Sequence, residues 1–389
     1  LVHHQVSNMT AQMSASEISL FRDNVKRFIA ENIQPEFMQW EKSEIFPRQL
    51  WNQFGEAGLL CVDLPEEFGG CAAPFRCASV VAEELSYAGF AGVATSYAVH
   101  AYIVANYVMN SGSQAQKNKY LAKMVSGECV GAIAMTEPGT GSDLQGIVTT
   151  AKADGDDYII NGSKTFITNG QHCDVVIVAA KTNEVGGAKG LSLFLVDSDA
   201  AGFQRGTNLD KIGLHCADTS ELFFDNVRVS KTDMLGPLDK GFLVLMNELQ
   251  RERLSLAIGS VCATEGVLNE TIQYVKERKA FGKPISALQN TRFKIAEMAT
   301  EVRIHRAFIN ECMDNFESGK LDIEAVSMAK YSCSEMQGRV VDYCLQLHGG
   351  YGYMTEYPVA RAFVDARVQR IYGGTSEIML ELISRSVLA

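Results

Sequence analysis

The 389-residue sequence has ten cysteines but no Cys-x-x-Cys pair, and seven histidines but no His-x-x-x-His or His/Cys cluster. The first absence argues against a disulfide framework, and the second against a metal centre. A basic excess is missing too. The formal charge of −11 excludes a nucleic-acid or anionic-membrane surface as the main partner, although a local basic cluster could still meet an anionic ligand. No apolar run reaches the roughly 18 residues of a membrane span. Leu1 to Met13 resembles neither a signal peptide nor an Arg-rich transit peptide. Scattered, unpaired cysteines fit reduced, mostly buried thiols, as in a bacterial cytoplasm or a mitochondrial matrix.

What is present is the composition of a globular protein, 47% hydrophobic and 21% charged, with length for two or three domains. From Ser16 to Ser126 the apolar spacing is helical, as in Phe21, Val25, Phe28 and Ile29. Between Gly89 and Ala98 small residues accumulate, which allows either room for another molecule or close helix packing. From Cys129 the period shortens. Asp157–Thr168 reads as two short strands joined by Asn161-Gly162, and further strands are expected over Val175–Ala180, Leu191–Val196 and Glu221–Val229. From Gly241 the chain returns to long helices. One apolar seam runs through Ile323, Val326, Ala329, Cys333, Met336, Val340, Cys344 and Leu347, the pattern of a helical bundle.

Two places carry chemistry. Ile133–Asp143 (Ile-Ala-Met-Thr-Glu-Pro-Gly-Thr-Gly-Ser-Asp) is a loop of small residues whose backbone N–H groups and hydroxyls are available as hydrogen-bond partners. It has no Lys or Arg, so it is not a P-loop, and it lacks the Gly-x-Gly-x-x-Gly spacing. It suits close approach to a flat polar ring, or it is an ordinary tight turn. In the second place Leu245, Leu249, Glu252 and Leu256 are spaced 4, 3 and 4, which puts Glu252 on the apolar stripe of its helix. Burial raises a carboxyl pKa towards that of a general base near neutral pH. The alternative is a Glu paired with an Arg on a facing helix.

Six segments in order resemble the acyl-CoA dehydrogenase family of flavoproteins. They are Met135–Asp143, Phe166-Ile-Thr-Asn-Gly170, Arg278-Lys-Ala-Phe-Gly282, Gln346-Leu-His-Gly-Gly350, Thr355-Glu-Tyr-Pro358 and Arg370-Ile-Tyr-Gly-Gly-Thr-Ser-Glu-Ile378. The resemblance implies an α+β multidomain fold: an α-helical N-terminal domain (14–128), a middle β-barrel-like domain (129–240) and a C-terminal four-helix bundle (241–389), assembled as a homotetramer. It implies FAD as cofactor and no metal. Ile133, Met135, Thr136, Gly141, Ser142, Phe166, Ile167 and Thr168 would then lie at the flavin. Arg278, Phe281, Gln289, Gln346, Gly349 and Gly350 would hold the pyrophosphate and adenosine half of a neighbouring subunit's cofactor, and Thr375, Ser376 and Glu377 would meet the cofactor from the other side. Ser142, Gln250, Arg251, Arg253, Gly373 and Gly374 would contact the acyl-CoA substrate.

The implied chemistry is α,β-dehydrogenation of an acyl-CoA thioester to the trans-2-enoyl-CoA, in fatty-acid or branched-chain acyl degradation, with electrons passed to an electron-transfer flavoprotein. Many members place the catalytic Glu directly after the Ile-Tyr pair, where this chain has Gly373. A minority class that includes long-chain and isovaleryl-type enzymes places it before an Arg-Leu, and here that is Glu252-Arg253-Leu254. The resemblance and the helical-face argument thus point to the same residue. Acyl-CoA oxidase-like flavoenzymes on the same fold are the alternative enzyme class. A non-catalytic homologue retained as a binding or assembly subunit is the other, with Gly373 in its favour and Glu252 against it.

Overall fold

Ser14 starts the first helix with a reciprocal cap: its side chain accepts from Glu17 N–H while Glu17 accepts from the Ser14 N–H. In this computed structural model, which describes residues 13–183 and 187–389, that helix runs Ala15–Asn32 and buries Val25, Phe28 and Ile29. Most of the opening segment read above for a leader lies outside the described residues. Shorter helices follow as far as Ser126. Arg22 on the first helix is bonded to two buried acids, Glu83 and Glu84, so neither acid is free for chemistry.

The helices Ala91–Ala98 and Ala105–Ser111 are joined by a π-helical segment, Val99–Val104. Within this wider turn His100 is fully buried and spans two elements. Its Nδ1 accepts from Gly131 N–H at 3.1 Å, so its Nε2 carries the hydrogen bonded to the Met124 carbonyl at 3.0 Å. Burial pushes the His100 pKa down to about 4, which keeps the imidazole neutral.

The middle of the chain is an eight-stranded sheet: β1 (Gly131–Ala134), β2 (Thr150–Asp154), β3 (Asp157–Thr168), β4 (Val175–Lys181), β5 (Leu191–Asp197), β6 (Phe203–Asn208), β7 (Thr219–Ser230) and β8 (Met234–Leu235). Its order is β6-β7-β3-β2-β4-β5-β8, with β1 parallel to β4. Strand β4 is buried on both faces. Val175, Ile177 and Ala179 join the core of the N-terminal helices, whereas Val176, Val178 and Ala180 join the core of the sheet. The period-two alternation of one strand thereby fastens the helical layer to the sheet.

One local expectation is corrected. Asn161-Gly162 is not a hairpin turn. β3 runs through it as one strand, and the turn lies at Gly155-Asp156, with Asp154 paired to Asp157 and Gly155 at φ 67°. Asn161 and Gly162 instead form an irregularity in the pairing of β3 with β7. A Cβ at Gly162 would lie 2.3 Å from Thr149 Oγ1, so the glycine serves a close approach and not a reversal.

The C-terminal part packs the long helices Gly241–Glu277, Gln289–Glu317 and Ile323–His348 with the shorter Pro358–Ala366 and Ser376–Val387. Val326, Ala329, Cys333, Met336, Val340 and Cys344 of the expected seam are buried, while Ile323 at its start is exposed. All ten cysteines are free and only Cys71 is exposed.

Candidate active site

Glu252 lies in the first third of the Gly241–Glu277 helix and is buried. Its partner is a phenol and not a guanidinium: the Tyr107 hydroxyl donates to Glu252 Oε1 at 2.8 Å. Burial pushes the Glu252 pKa up to about 7. The Tyr107 hydrogen bond pulls it down, Glu248 one turn earlier pushes it up, and Arg253 pulls it down. Glu248 is itself buried, with its pKa raised by burial, and accepts from Asn110 Nδ2 at 2.9 Å. Arg253 is buried, and its Nε has no hydrogen-bond partner among the described residues.

The Gly373-Gly374 turn closes over this helix. Both glycines have positive φ, 63° and 97°. A Cβ at Gly373 would lie 2.3 Å from Leu256 Cδ1, one helical turn beyond Glu252. A Cβ at Gly374 would lie 2.6 Å from Met379 Cε and 3.7 Å from Arg253 Nη2. The backbone conformation favours glycine at both positions, and a side chain would also have to displace the Leu256 and Met379 side-chain ends. Glu252, Arg253, Gly373 and Gly374 are thus brought together by the fold.

Arg251 is not brought with them. It pairs with the Asp63 carboxylate, donates through Nε to the Tyr102 carbonyl at 3.1 Å and stacks over Phe75. Its side chain makes this link between domains because a step of about 100° along the helix turns it towards Asp63. Gln250 is half-buried beside it. The Ser376 hydroxyl is likewise engaged, donating to Glu335 Oε1 at 2.7 Å, whereas Thr375 caps the last helix and Glu377 stays exposed.

The Ile133–Asp143 loop leaves the end of β1 and is anchored from beneath. Buried Glu137 accepts from Val148 N–H at 2.7 Å, Thr149 N–H at 3.0 Å and Lys164 Nζ at 2.9 Å. These donors hold the Glu137 pKa below its ordinary value against the opposing effect of burial. Thr136 accepts from Thr165 N–H at 2.9 Å, which ties the loop to a bulge in β3. At that bulge Phe166 adopts φ 59°, and its ring is 67% exposed. A bulge of this kind re-aims a side chain. Ile167 turns its side chain into the sheet core, so only its backbone faces the loop side, and Thr168 is half-buried. Ile133 and Met135 pack partly against the helical core, and Ser142 is exposed. Gly139 and Gly141 have nothing within 4 Å of where a Cβ would be. An uncovered aromatic ring beside a glycine-lined loop fits the isoalloxazine of FAD.

A second opening, with a volume of about 560 Å³, is lined by Tyr274, Arg278, Ile285, Gln346, Gly349 and Gly350 among others. Its wall is stiffened by Tyr274 stacked on His348 at 4.1 Å between ring centroids. The Arg278 guanidinium lies over Tyr351, exposed and without an ion-pair partner among the described residues. Phe281 is 91% exposed, and Gln289 is exposed at the start of its helix. An unpaired guanidinium above open glycines fits a pyrophosphate. Of the residues implied for the far half of FAD, Arg278, Gln346, Gly349 and Gly350 therefore share a cavity that none of the residues at Glu252 lines, whereas Phe281 and Gln289 do not line it.

Sequence reasoning missed Tyr107, Glu137, Lys164 and Glu248. Two of these left a signal. Glu248 and Glu252 stand four apart on one apolar stripe, and Tyr107 sits in an apolar helix where a hydroxyl needs a partner. Glu44, Asp210 and His215 each bring one ligand-type atom within 4.8 Å of the others, a group that no sequence spacing suggested.

Comparison with known proteins places this geometry. The acyl-CoA dehydrogenase N-terminal, middle and C-terminal domain families match residues 15–128, 132–227 and 239–388. The mitochondrial long-chain specific acyl-CoA dehydrogenase of Sus scrofa is 48% identical over 96% of this chain and 87% of its own length. The crystal structure of an acyl-CoA dehydrogenase from Geobacillus kaustophilus superposes with a TM-score of 0.94 at 45% identity, covering 97% of this chain and all of that one. A chain solved with the electron transferring flavoprotein of Acidaminococcus fermentans as its subject superposes at 0.92, with 34% identity and coverage of 98% and 100%. The chain belongs to the acyl-CoA dehydrogenase family of FAD-dependent oxidoreductases.

Proposed function

We propose that Glu252 is the base of this acyl-CoA dehydrogenase, and that the substrate thioester lies between it and the Gly373-Gly374 turn. The observation carrying this is a buried carboxylate held by one phenol, with no cation bonded to it, under a turn that has no side chains. At neutral pH such a carboxylate is partly ionised and accepts the α-proton without a large free-energy penalty. Tyr107 fixes the Glu252 carboxylate so that the other oxygen, Oε2, can face the substrate. A backbone N–H of the Gly373-Gly374 turn binds the thioester oxygen, where enolate charge develops. FAD, when bound, supplies the acceptor for the hydride leaving the β-carbon. Gln250 and Arg253 flank the thioester and pantetheine.

Long-chain acyl-CoA is the substrate class, supported by the 48% identity to a long-chain specific relative. Electron-transfer flavoprotein is the electron acceptor, supported by the likeness to the Acidaminococcus chain. A homotetramer completes the cofactor site, with Arg278 and Gln346 holding a neighbour's adenosine half. The three domains are taken as 14–128, 129–240 and 241–389. The compartment is the cytoplasm in a bacterium or the matrix in a eukaryote, with no helix among the described residues long and apolar enough to cross a membrane.

Anaerobic bleaching of the flavin by acyl-CoAs of increasing length, followed by admission of air, tests the reading. Bleaching that is strongest with long chains and persists in air supports a dehydrogenase. Rapid reoxidation by air identifies an oxidase, and no bleaching with any acyl-CoA identifies a non-catalytic homologue.

A further inference from the structure

Lys330, on the Ile323–His348 helix, is 1% exposed, and among the described residues it has no carboxylate within 4 Å. Its one hydrogen bond is to the Gly374 carbonyl, from Nζ at 2.6 Å. A buried, unpaired ammonium is costly, by several kcal/mol in general, so its retention calls for an explanation. The turn that it meets has two consecutive glycines at positive φ and no side chain by which it could be fixed. Anchors must come from outside, and one helix supplies them. Besides Lys330, Glu335 accepts from Ser376 Oγ at 2.7 Å and from Arg370 Nη1 at 3.4 Å, which holds both ends of the same turn.

We propose that Lys330 is a positioning residue for the dehydrogenation, whose ammonium locks the Gly373-Gly374 turn in register with Glu252. This rests on the placement of the thioester under that turn proposed above. The charged groups around it are Arg253 on the Gly241–Glu277 helix, Glu335 on its own helix and Glu377 on the last helix. Burial, reinforced by Arg253, lowers the Lys330 pKa to about 8, against the opposing effects of Glu335 and Glu377. The lock is therefore engaged below about pH 8 and released above it, because a neutral amine is a weaker donor to the carbonyl. Together with a base ionising near 7, this gives a bell-shaped rate profile.

The test is the rate of flavin reduction by palmitoyl-CoA in single anaerobic turnovers of the holoenzyme from pH 5.5 to 9.5. The wild-type rate rises through about 7 and falls above about 8. Lys330→Arg, charged over the whole range, loses the alkaline fall. Lys330→Met keeps its FAD and binds palmitoyl-CoA, but reduces about 10²-fold more slowly at pH 7.5, the order of loss expected when a reacting group is misplaced by about 1 Å. A Lys330→Met rate within twofold of wild type overturns the inference. So does an alkaline fall that persists in Lys330→Arg, or a wild-type profile with no such fall, and these two decide the matter if Lys330→Met does not fold. Glu252→Gln in the same assay separates the two readings. If it reduces at the wild-type rate, the site itself is misassigned. If it is silent while the Lys330 variants match wild type, only the role of Lys330 falls.

Discussion

Two buried glutamates, one in the middle domain and one in the C-terminal helices, show how surroundings push the same carboxyl in opposite directions. Glu137 has a cation and two backbone N–H groups at hydrogen-bond distance, and its pKa is lowered. Glu252 has one phenol, and its pKa rises to about 7. Burial penalises the charged form in both, so the number and charge of the donors decide which way the group moves. Their lysines mirror them. Lys164 is spent on Glu137, whereas Lys330 has only a carbonyl.

The largest expected effect separates the two acids by function. Glu252→Gln should lower turnover by about 10²–10⁴ while acyl-CoA still binds, whereas turnover in any Glu137→Gln protein that retains FAD should stay within a few-fold of wild type. Near wild-type turnover in Glu252→Gln would make Glu252 another structural acid. Moving the base does not simply reverse this. Glu252→Gly with Gly373→Glu should recover little activity, because a side chain at 373 meets Leu256 and a strained φ. Adding Leu256→Ala should raise the recovery, and its failure to do so would put the obstacle in the backbone alone.

Stability should reverse the ranking. Glu137→Gln leaves Lys164 buried without its counter-charge, a loss of about 3–5 kcal/mol, to be read from chemical denaturation together with flavin release. Glu252→Gln should do the opposite near neutral pH. A carboxyl whose folded pKa is about 7 and whose unfolded pKa is about 4.3 contributes stability that is present below the lower value and lost as pH rises through the higher. The Gln variant should therefore be more stable than wild type at pH 8, by roughly 3–4 kcal/mol, and melt with it at pH 4. A melting difference independent of pH would show that Glu252 is not protonated by its surroundings.

The smallest effect refines the comparison from within. Tyr107→Phe removes the one donor that holds the Glu252 pKa down. The acid limb of the rate profile should then move to higher pH, with turnover at pH 8.5 changed only a few-fold. A limb that does not move would make Tyr107 a packing residue.

The helical and strand content was legible because the apolar pattern is written along the chain: the seam from Val326 to Cys344 and the short unbroken apolar run Val175–Ala180 need no tertiary information, although the division of that run between two cores does. Glu252 was legible for the same reason, as an acid where a stripe demanded an apolar residue. The Asn161-Gly162 turn misled because a glycine that makes room for Thr149 reads like one that reverses the chain. The Arg251–Asp63 pair was not legible because the two residues lie 188 positions apart. Tyr107, Lys164 and Lys330 share that difficulty, since each acts through a contact across 27 to 145 positions that no local pattern encodes.

The π-helical Val99–Val104 has a consequence for changes in chain length. A π turn takes up a surplus residue without rotating the helix on either side of it. A deletion of one residue within Val99–Val104 can therefore relax to ordinary α-helix and leave Tyr107 pointing at Glu252. A deletion at Ala105 or Asn106, in the ordinary α-helix between that segment and Tyr107, has no slack of its own and would swing the phenol by about 100°. Length variation in this helical wall is thus tolerated at one place, and that place lies directly upstream of the residue that holds Glu252.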